Sequence, residues 1–278
     1  MQRVNTVADL NLAVAEARSD DLEISFVPTM GALHQGHLSL IAEARKHSKF
    51  VVVSIFVNPL QFGAGEDFEK YPRTIEEDAQ QLAAIGVDVL FTPTVNDLYQ
   101  GNMSVTENAG AIGELYEGAA RPGHFDGMLT VVAKLFDAVK PDFAIFGAKD
   151  AQQLFLIRQM AAKKFGNLKI IQAPIIREES GLALSSRNRY LSAENLETAK
   201  HLSAAMRIAQ AEASKPSAAL TAARNEMLKA PEAKLDYVAL VDADTFEPVA
   251  DGFSGRAILL IAAVVGSTRL IDNIEITF

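Results

Sequence analysis

Val27-Pro28-Thr29-Met30-Gly31-Ala32-Leu33-His34-Gln35-Gly36-His37-Leu38-Ser39-Leu40 is the stretch whose reading decides the fold. The extended apolar run Ile24–Val27 predicts a strand that stops at Pro28, followed by a glycine-bearing turn and a helix from about His37 to His47. Backbone N–H groups in a first helical turn lack partners within the helix and carry partial positive charge, which suits a phosphate. Gly31 and Gly36 would let the backbone approach that phosphate closely. His34 and His37, three residues apart, are expected to face one side and to donate hydrogen bonds to a phosphorus centre that gains charge under attack. Each histidine alone reads equally as a helix cap or a polar surface group. His-x-x-His could also supply two zinc ligands, but the chain has no cysteine, no H-E-x-x-H and no acidic residue beside the pair.

Working outward, the next strand is predicted from the apolar run Phe50–Val57, in which Ser54 is the one polar residue, of the kind a parallel strand covered on both faces requires. Asn58-Pro59-Leu60-Gln61-Phe62-Gly63 follows at its C-terminal end, where open α/β sheets place ligand-contacting loops, and Gln61 offers both a donor and an acceptor. Asp67–Arg73 is expected to cover the site as a loop or short helix. Thr74 is expected to cap a helix through Ala84, before a strand at Val87–Phe91. Residues 92–124 read as loop-rich with short strands. Within them Arg121-Pro122-Gly123-His124-Phe125 is either functional or a turn with a satisfied histidine. A helix opening at Asp126 presents Leu129, Val132, Ala133, Phe136 and Val139 on one face and ends at Pro141. Before all of these, Thr6 and Asp9 resemble a capping box ahead of a first helix.

The strand Asp142–Phe146 leads into Gly147-Ala148-Lys149-Asp150-Ala151-Gln152-Gln153, a second strand, glycine turn and helix start. Lys149 would reach phosphate oxygens and Asp150 would accept from a ribose hydroxyl; the plainer alternative makes them a solvated charge and an N-cap. After a strand near Leu168–Gln172, Ser185-Ser186-Arg187 combines two hydroxyls with a guanidinium able to make a forked phosphate contact. From Ser192 the alternation stops: helices at about Ala193–Ala213 and Ser217–Lys229 precede strands at Tyr237–Val241, Ala257–Val265 and Arg269–Ile276, expected to form an antiparallel sheet.

Composition bounds the function classes. With 278 residues, 49% hydrophobic and 22% charged, the chain reads as globular and two-domain. A formal charge of −9 argues against nucleic-acid binding. No cysteine means no disulfide or thiolate chemistry, and the longest apolar run, Ala257–Val265, is too short to span a bilayer. A cytoplasmic place, with no membrane partner, is the expectation.

The H-x-G-H pattern after a strand resembles the nucleotidyl-transfer superfamily, and Pro28–His37 is similar to the pantothenate synthetase family (pantoate–β-alanine ligases) in particular. The resemblance continues through Asn58–Gly63, Tyr71-Pro72-Arg73-Thr74, Arg121–Phe125, Gly147-x-Lys149-Asp150-x-Gln152-Gln153, Ser185-Ser186-Arg187-Asn188 and the tail Arg269-Leu270-Ile271-Asp272-Asn273. It implies an α/β fold, with residues 1–177 a Rossmann-like ATP- and pantoate-binding domain and 178–278 a smaller α+β C-terminal lid. The serine–arginine segment would then sit at the hinge. It also implies a Mg²⁺-dependent homodimer that joins pantoate to β-alanine and releases AMP and pyrophosphate.

Carried over to this sequence, Met30, Gly31, Ala32, Leu33, His34, Gln35, Gly36 and His37 would bind ATP, with His37 the proton donor and His34 its partner. Gly147, Ala148, Lys149 and Asp150, the backbone at Ile176, and Leu184, Ser185, Ser186 and Arg187 would complete the ATP site; Lys149 would join the histidines in catalysis. Gln61 and Gln153 would hold pantoate, and Gln61 would also touch β-alanine. Ala148 and Ala151 depart from the family, which often carries Glu and a larger residue there, so no side-chain contact is carried over at those two. The Mg²⁺ ligands stay open, with Glu77 and Asp78 possible. Two other functions also fit the residues: a nucleotidylyltransferase acting on a phosphate acceptor, and a non-catalytic nucleotide sensor.

Overall fold

The structure is a computed structural model and describes residues 1–63, 66 and 68–278. In chain order the elements are β1 (Gln2–Val4), α1 (Val7–Ser19), β2 (Ile24–Thr29), α2 (Gln35–His47), β3 (Phe50–Ile55), α3 (Ile75–Ala84), β4 (Val89–Phe91), α4 (Val95–Tyr99), α5 (Glu117–Ala120), α6 (His124–Val139), β5 (Phe143–Gly147), α7 (Ala151–Lys164), β6 (Lys169–Ala173), α8 (Ala193–Ala211), α9 (Pro216–Met227), β7 (Ala233–Asp242), β8 (Arg256–Val265) and β9 (Thr268–Thr277). Short 3₁₀ helices occupy Pro59–Gln61, Ala111–Glu114 and Ser186–Tyr190. Two compact units result: Met1–Ala148 with Gln152–Pro174, and Lys149–Ala151 with Ile175–Phe278.

The first unit is built on a parallel sheet in the order β1-β4-β3-β2-β5-β6, a Rossmann-like arrangement with helices on both faces. Alternation along the central strands divides the core: Phe26 and Val52 join one buried cluster with Phe136 and Leu129, whereas Val27, Val51 and Val53 join the other with Ile41 and Leu82. Burying each such side chain stabilises the fold by about 1.5–3 kcal/mol, which is why β3 is apolar at every position but Ser54. α2 is tied to β2 by the buried Ser25 hydroxyl, which donates to the Ala44 carbonyl at 3.1 Å. The strand order reverses between β2 and β5, the switch point at which open α/β sheets place their ligands.

β2 does not stop at Pro28, as its sequence predicts, but runs through it to Thr29. Thr29 turns its carbonyl toward β3, accepting from Phe56 N–H at 3.0 Å, while Ile24 accepts from Asp142 N–H on the β5 side. Pro28 therefore faces β5. Pairing with β5 covers only Ser25 and Phe26, so the proline meets no ladder bond there that it would break.

Other expectations need correction. Residues 92–124 contain no strand; α4, α5 and a 3₁₀ turn stand there instead, held by side chains rather than by ladders. The Gln152 amide donates to the Ile112 and Leu115 carbonyls and accepts from Glu117 N–H. β1, with one buried residue in three, was not anticipated. α6 opens at His124 rather than Asp126 and is buried nearly all round, not on one face. Thr74 makes no capping bond to α3; its hydroxyl donates to Asp78. Of the expected cover, Asp67 lies outside the described residues and Phe68–Lys70 form a turn.

The second unit carries α8, α9 and an antiparallel sheet in the order β7-β8-β9. Its core is rich in alanine, with Ala199, Ala205, Ala209, Ala219 and Ala223 buried, so the two helices approach closely. Pro216 stands at the first turn of α9, where its missing N–H leaves no bond unmade.

Gly127 lets α6 approach the Pro59–Gln61 turn: a Cβ there would stand 1.9 Å from the Leu60 carbonyl oxygen. Gly127→Ala is therefore expected to lower stability by about 1–3 kcal/mol, measured by urea denaturation. An unchanged midpoint would mean that this approach is not tight.

Candidate functional site

The turn after β2 is made by backbone conformations that most residues avoid. Gly31 has φ +83° and Ala32 φ +51°; the second costs an L-residue roughly 1–2 kcal/mol. Asp78, on the first turn of α3, offsets that cost. Its carboxylate accepts from Ala32 N–H at 2.9 Å and Leu33 N–H at 2.8 Å, with a third bond from the Thr74 hydroxyl at 3.1 Å. Asp78 is 1% exposed. A Cβ on Gly31 would lie 3.0 Å from Ile55 and 3.1 Å from Asp78, so the turn has no room for a larger residue.

That turn delivers His34 as the N-cap of α2, in extended conformation. Its Nδ1 accepts from Gly36 N–H at 3.1 Å, and His37 Nδ1 accepts from His34 N–H at 3.3 Å, a capping box built from two imidazoles. The ring centroids stand 4.2 Å apart. Each Nδ1 used as an acceptor requires the ring proton on Nε2. Both rings are thereby set as Nε2–H donors. The amides of Gly36 and His37 are engaged inside the protein, the latter by the His34 carbonyl at 2.8 Å. The imidazoles, more than the bare amides, carry the donor capacity of this helix start.

Gln61 lies at the end of β3's loop and is 9% exposed. Asn58, itself buried, caps the 3₁₀ turn by accepting from Leu60 N–H; its Oδ1 also accepts from the Tyr99 hydroxyl at 2.7 Å, and its Nδ2 donates to Gly127 O. Burial pushes the Tyr99 phenol up to about 12, which keeps it a donor. From the other side His124 Nδ1–H donates to the Gln61 carbonyl at 2.8 Å, so its Nε2 is left to accept from Arg121 at 3.0 Å. Arg121 in turn makes a forked pair with Glu66, at 2.8 and 2.6 Å, and holds that carboxyl below the usual carboxylate range. The Arg121–Phe125 segment thus fixes the backbone of Gln61. Gln153 is half-buried on α7, beside the structural Gln152.

In the second unit Lys149 and Asp150 form the turn before α7. Leu184 N–H donates to the Ile176 carbonyl at 2.9 Å, which places those two residues side by side. Ser185 caps the following 3₁₀ helix by accepting from Arg187 N–H at 3.2 Å, leaving its own hydroxyl proton to donate elsewhere.

Asp78 and the Asn58–Tyr99 pair were not identified as supports from sequence. A buried acid in a first helical turn looks the same as an exposed one until its burial is known. Among the described residues no three His, Cys, Asp or Glu side chains come together as a metal cage. Of the two carboxylates open as Mg²⁺ ligands, Asp78 has both oxygens engaged by N–H groups and Glu77 is exposed.

Burial, and next the Arg121 cation, push His124 down from 6.5 to about 4. The unfolded chain takes up a proton as pH falls through 6.5 while the folded site stays neutral to about 4, so acid favours unfolding across that window. The stability is fully kept above 6.5 and lost toward 4, by an upper bound of roughly 3 kcal/mol. His124→Gln does not titrate and is expected to flatten this interval in denaturant midpoints measured against pH. A slope equal to that of the parent would refute the assignment.

The family model described as Pantoate-beta-alanine ligase matches residues 2–275. A pantothenate synthetase of Leifsonia xyli is 52% identical over 95% of this chain and 93% of its own length. One of Thermobifida fusca is 50% identical over 91% and 90%. The crystal structure of pantothenate synthetase from Thermus thermophilus superposes with a TM-score of 0.92 at 42% identity, over the whole of both chains. The pantoate-beta-alanine ligase of Francisella tularensis, complexed with beta-gamma ATP and beta-alanine, gives 0.78 at 38% identity, over 99% of this chain and 97% of that one. With the histidine turn, the sheet order and the match over nearly its full length in agreement, the chain belongs to the pantoate–β-alanine ligase family.

Proposed function

We propose that this chain joins pantoate to β-alanine at the expense of ATP, by way of a pantoyl-adenylate. The observation that carries the reading is the pair of imidazoles after β2, both set by their caps as Nε2–H donors. A pantoate carboxylate oxygen attacks the α-phosphorus of ATP, and the bond to pyrophosphate breaks. Negative charge builds on the phosphoryl oxygens, and donors fixed in advance stabilise it without reorganising. His34 and His37 are assigned that task, with His37 directing its Nε2–H hydrogen bond toward the departing pyrophosphate. The β-alanine amine, in its neutral form, then attacks the acyl carbonyl; a C–N bond forms, the acyl C–O bond to AMP breaks, and AMP departs as the amine nitrogen loses a proton to solvent.

The remaining turn residues, Met30, Gly31, Ala32, Leu33, Gln35 and Gly36, are assigned to ATP, and Gln61 and Gln153 to pantoate; the anchoring of Gln61 by Asn58 and His124 supports the latter. In the second unit, Gly147's neighbours Lys149 and Asp150, with Ile176, Leu184, Ser185, Ser186 and Arg187, are assigned to ATP, Lys149 as a compact charge on phosphate oxygens. Mg²⁺ is proposed as an ion that arrives on the triphosphate. Homodimerisation is also proposed; its support is the exposed apolar side chains Met103, Val105 and Leu115. A cytoplasmic place fits a chain without cysteine and with no helix, among the described residues, long and apolar enough to cross a membrane.

Pantoate-dependent exchange of labelled pyrophosphate into ATP, in the absence of β-alanine, is the expected sign of the adenylate. No exchange in an enzyme that turns over would remove the separate step, and release of neither AMP nor pyrophosphate with both substrates present would leave only a sensor. His37→Ala is expected to lower kcat about 10²–10³-fold while changing the KM for ATP far less, because its bond matters chiefly in the transition state. Full turnover by that variant would overturn the role of His37.

A further inference from the structure

The tail Arg269-Leu270-Ile271-Asp272-Asn273 has no part in the chemistry above, yet two of its residues are buried polar groups: Asp272 is 3% and Asn273 7% exposed. They lie on β9, the edge strand of the second unit's sheet. Arg177 makes a forked ion pair with Asp272, at 2.6 and 2.9 Å. Asp272 Oδ1 accepts from Asn273 N–H at 2.8 Å, and Arg177 Nη2 donates to the Asn273 carbonyl at 3.2 Å. The ion pair thus stands where another strand would, satisfying both backbone groups of Asn273 at the open edge. What this holds in place is the Asn273 side chain, whose Nδ2 donates to the Lys149 carbonyl at 2.8 Å.

The same arginine governs a second segment. Its other nitrogen donates to Gly181 O at 3.0 Å, and its backbone bridges Ala183, one residue before Leu184. A largely buried ion pair is weak evidence for stability, since apolar residues of similar volume often do as well. Its use here is directional: one charge pair sets the edge of β9 and, through it, the peptide of Lys149.

We propose that Asn273, held by the Arg177–Asp272 pair, is a positioning residue for Lys149. This rests on the reading that Lys149 meets the triphosphate of ATP. Asn273 touches no reacting atom; it fixes the turn from which the lysine reaches, and its loss is expected to act on the ATP response alone.

The test is steady-state kinetics on the full chain with Asn273→Ala, Lys149→Met and the double variant. Asn273→Ala is expected to lower kcat/KM for ATP about five- to tenfold, the size of one lost hydrogen bond, with KM for β-alanine within about twofold of the parent. In the Lys149→Met background the same change is expected to cost less than about twofold, because residues that act through one another are not additive. Should Asn273→Ala fail to fold, Asn273→Ser takes its place in the cycle. Multiplying effects, or equal losses for ATP and β-alanine, would reduce Asn273 to a general structural part and overturn the inference. So would a full ATP response in Asn273→Ala beside an impaired Lys149→Met. An unimpaired Lys149→Met would instead overturn the assignment of Lys149, and this inference with it.

Discussion

The site in the first unit depends on one carboxylate. Asp78 accepts from the N–H groups of two consecutive residues, Ala32 and Leu33, in a place closed to water. A buried N–H without a partner costs about 1–3 kcal/mol, so two of them, together with an alanine in the left-handed region, would drive the turn to another shape. Met30 to Leu33 keep their path because α3 brings an anion to them. The start of α2 is a consequence: the cap at His34 has its direction only if the preceding turn does.

Three of this unit's four histidines, His34, His37 and His124, are set in opposite senses. His34 and His37 accept through Nδ1 and so present Nε2–H, whereas His124 donates through Nδ1 and accepts through Nε2. The distinction follows from their backbone and arginine partners. An imidazole that faces a backbone donor is an acceptor there and a donor at its far end; one that faces a carbonyl is the reverse. The proposed chemistry uses the first kind, and the anchoring of Gln61 uses the second.

What could be read in the sequence follows from where the information lies. The largely apolar run of β3, the two strand–glycine–helix turns and the loss of alternation after Ser192 are local patterns, and each corresponds to an element within a few residues. β1 carries one buried residue and takes its conformation from pairing with β4, so nothing in Gln2-Arg3-Val4 marks it. Residues 92–124 have no period to read because their backbone is satisfied by distant side chains: Gln152, and Asp126 and Thr130 on α6. The histidine pair was legible as a candidate site, since glycine and histidine at a strand end are unusual together. Asp78 was not, since its role is defined by burial and by partners about forty-six residues away.

Pro28 gives the sheet a property that its hydrogen bonds only imply. β2 and β5 are joined at Ser25 and Phe26 and then diverge, and the next β5-facing position on β2 is a tertiary amide. Two adjacent parallel strands in a sheet ordinarily tend to zip to their ends. Here the zipper lacks its next tooth, so the ladder between β2 and β5 cannot extend through Pro28 and ends there by covalent structure.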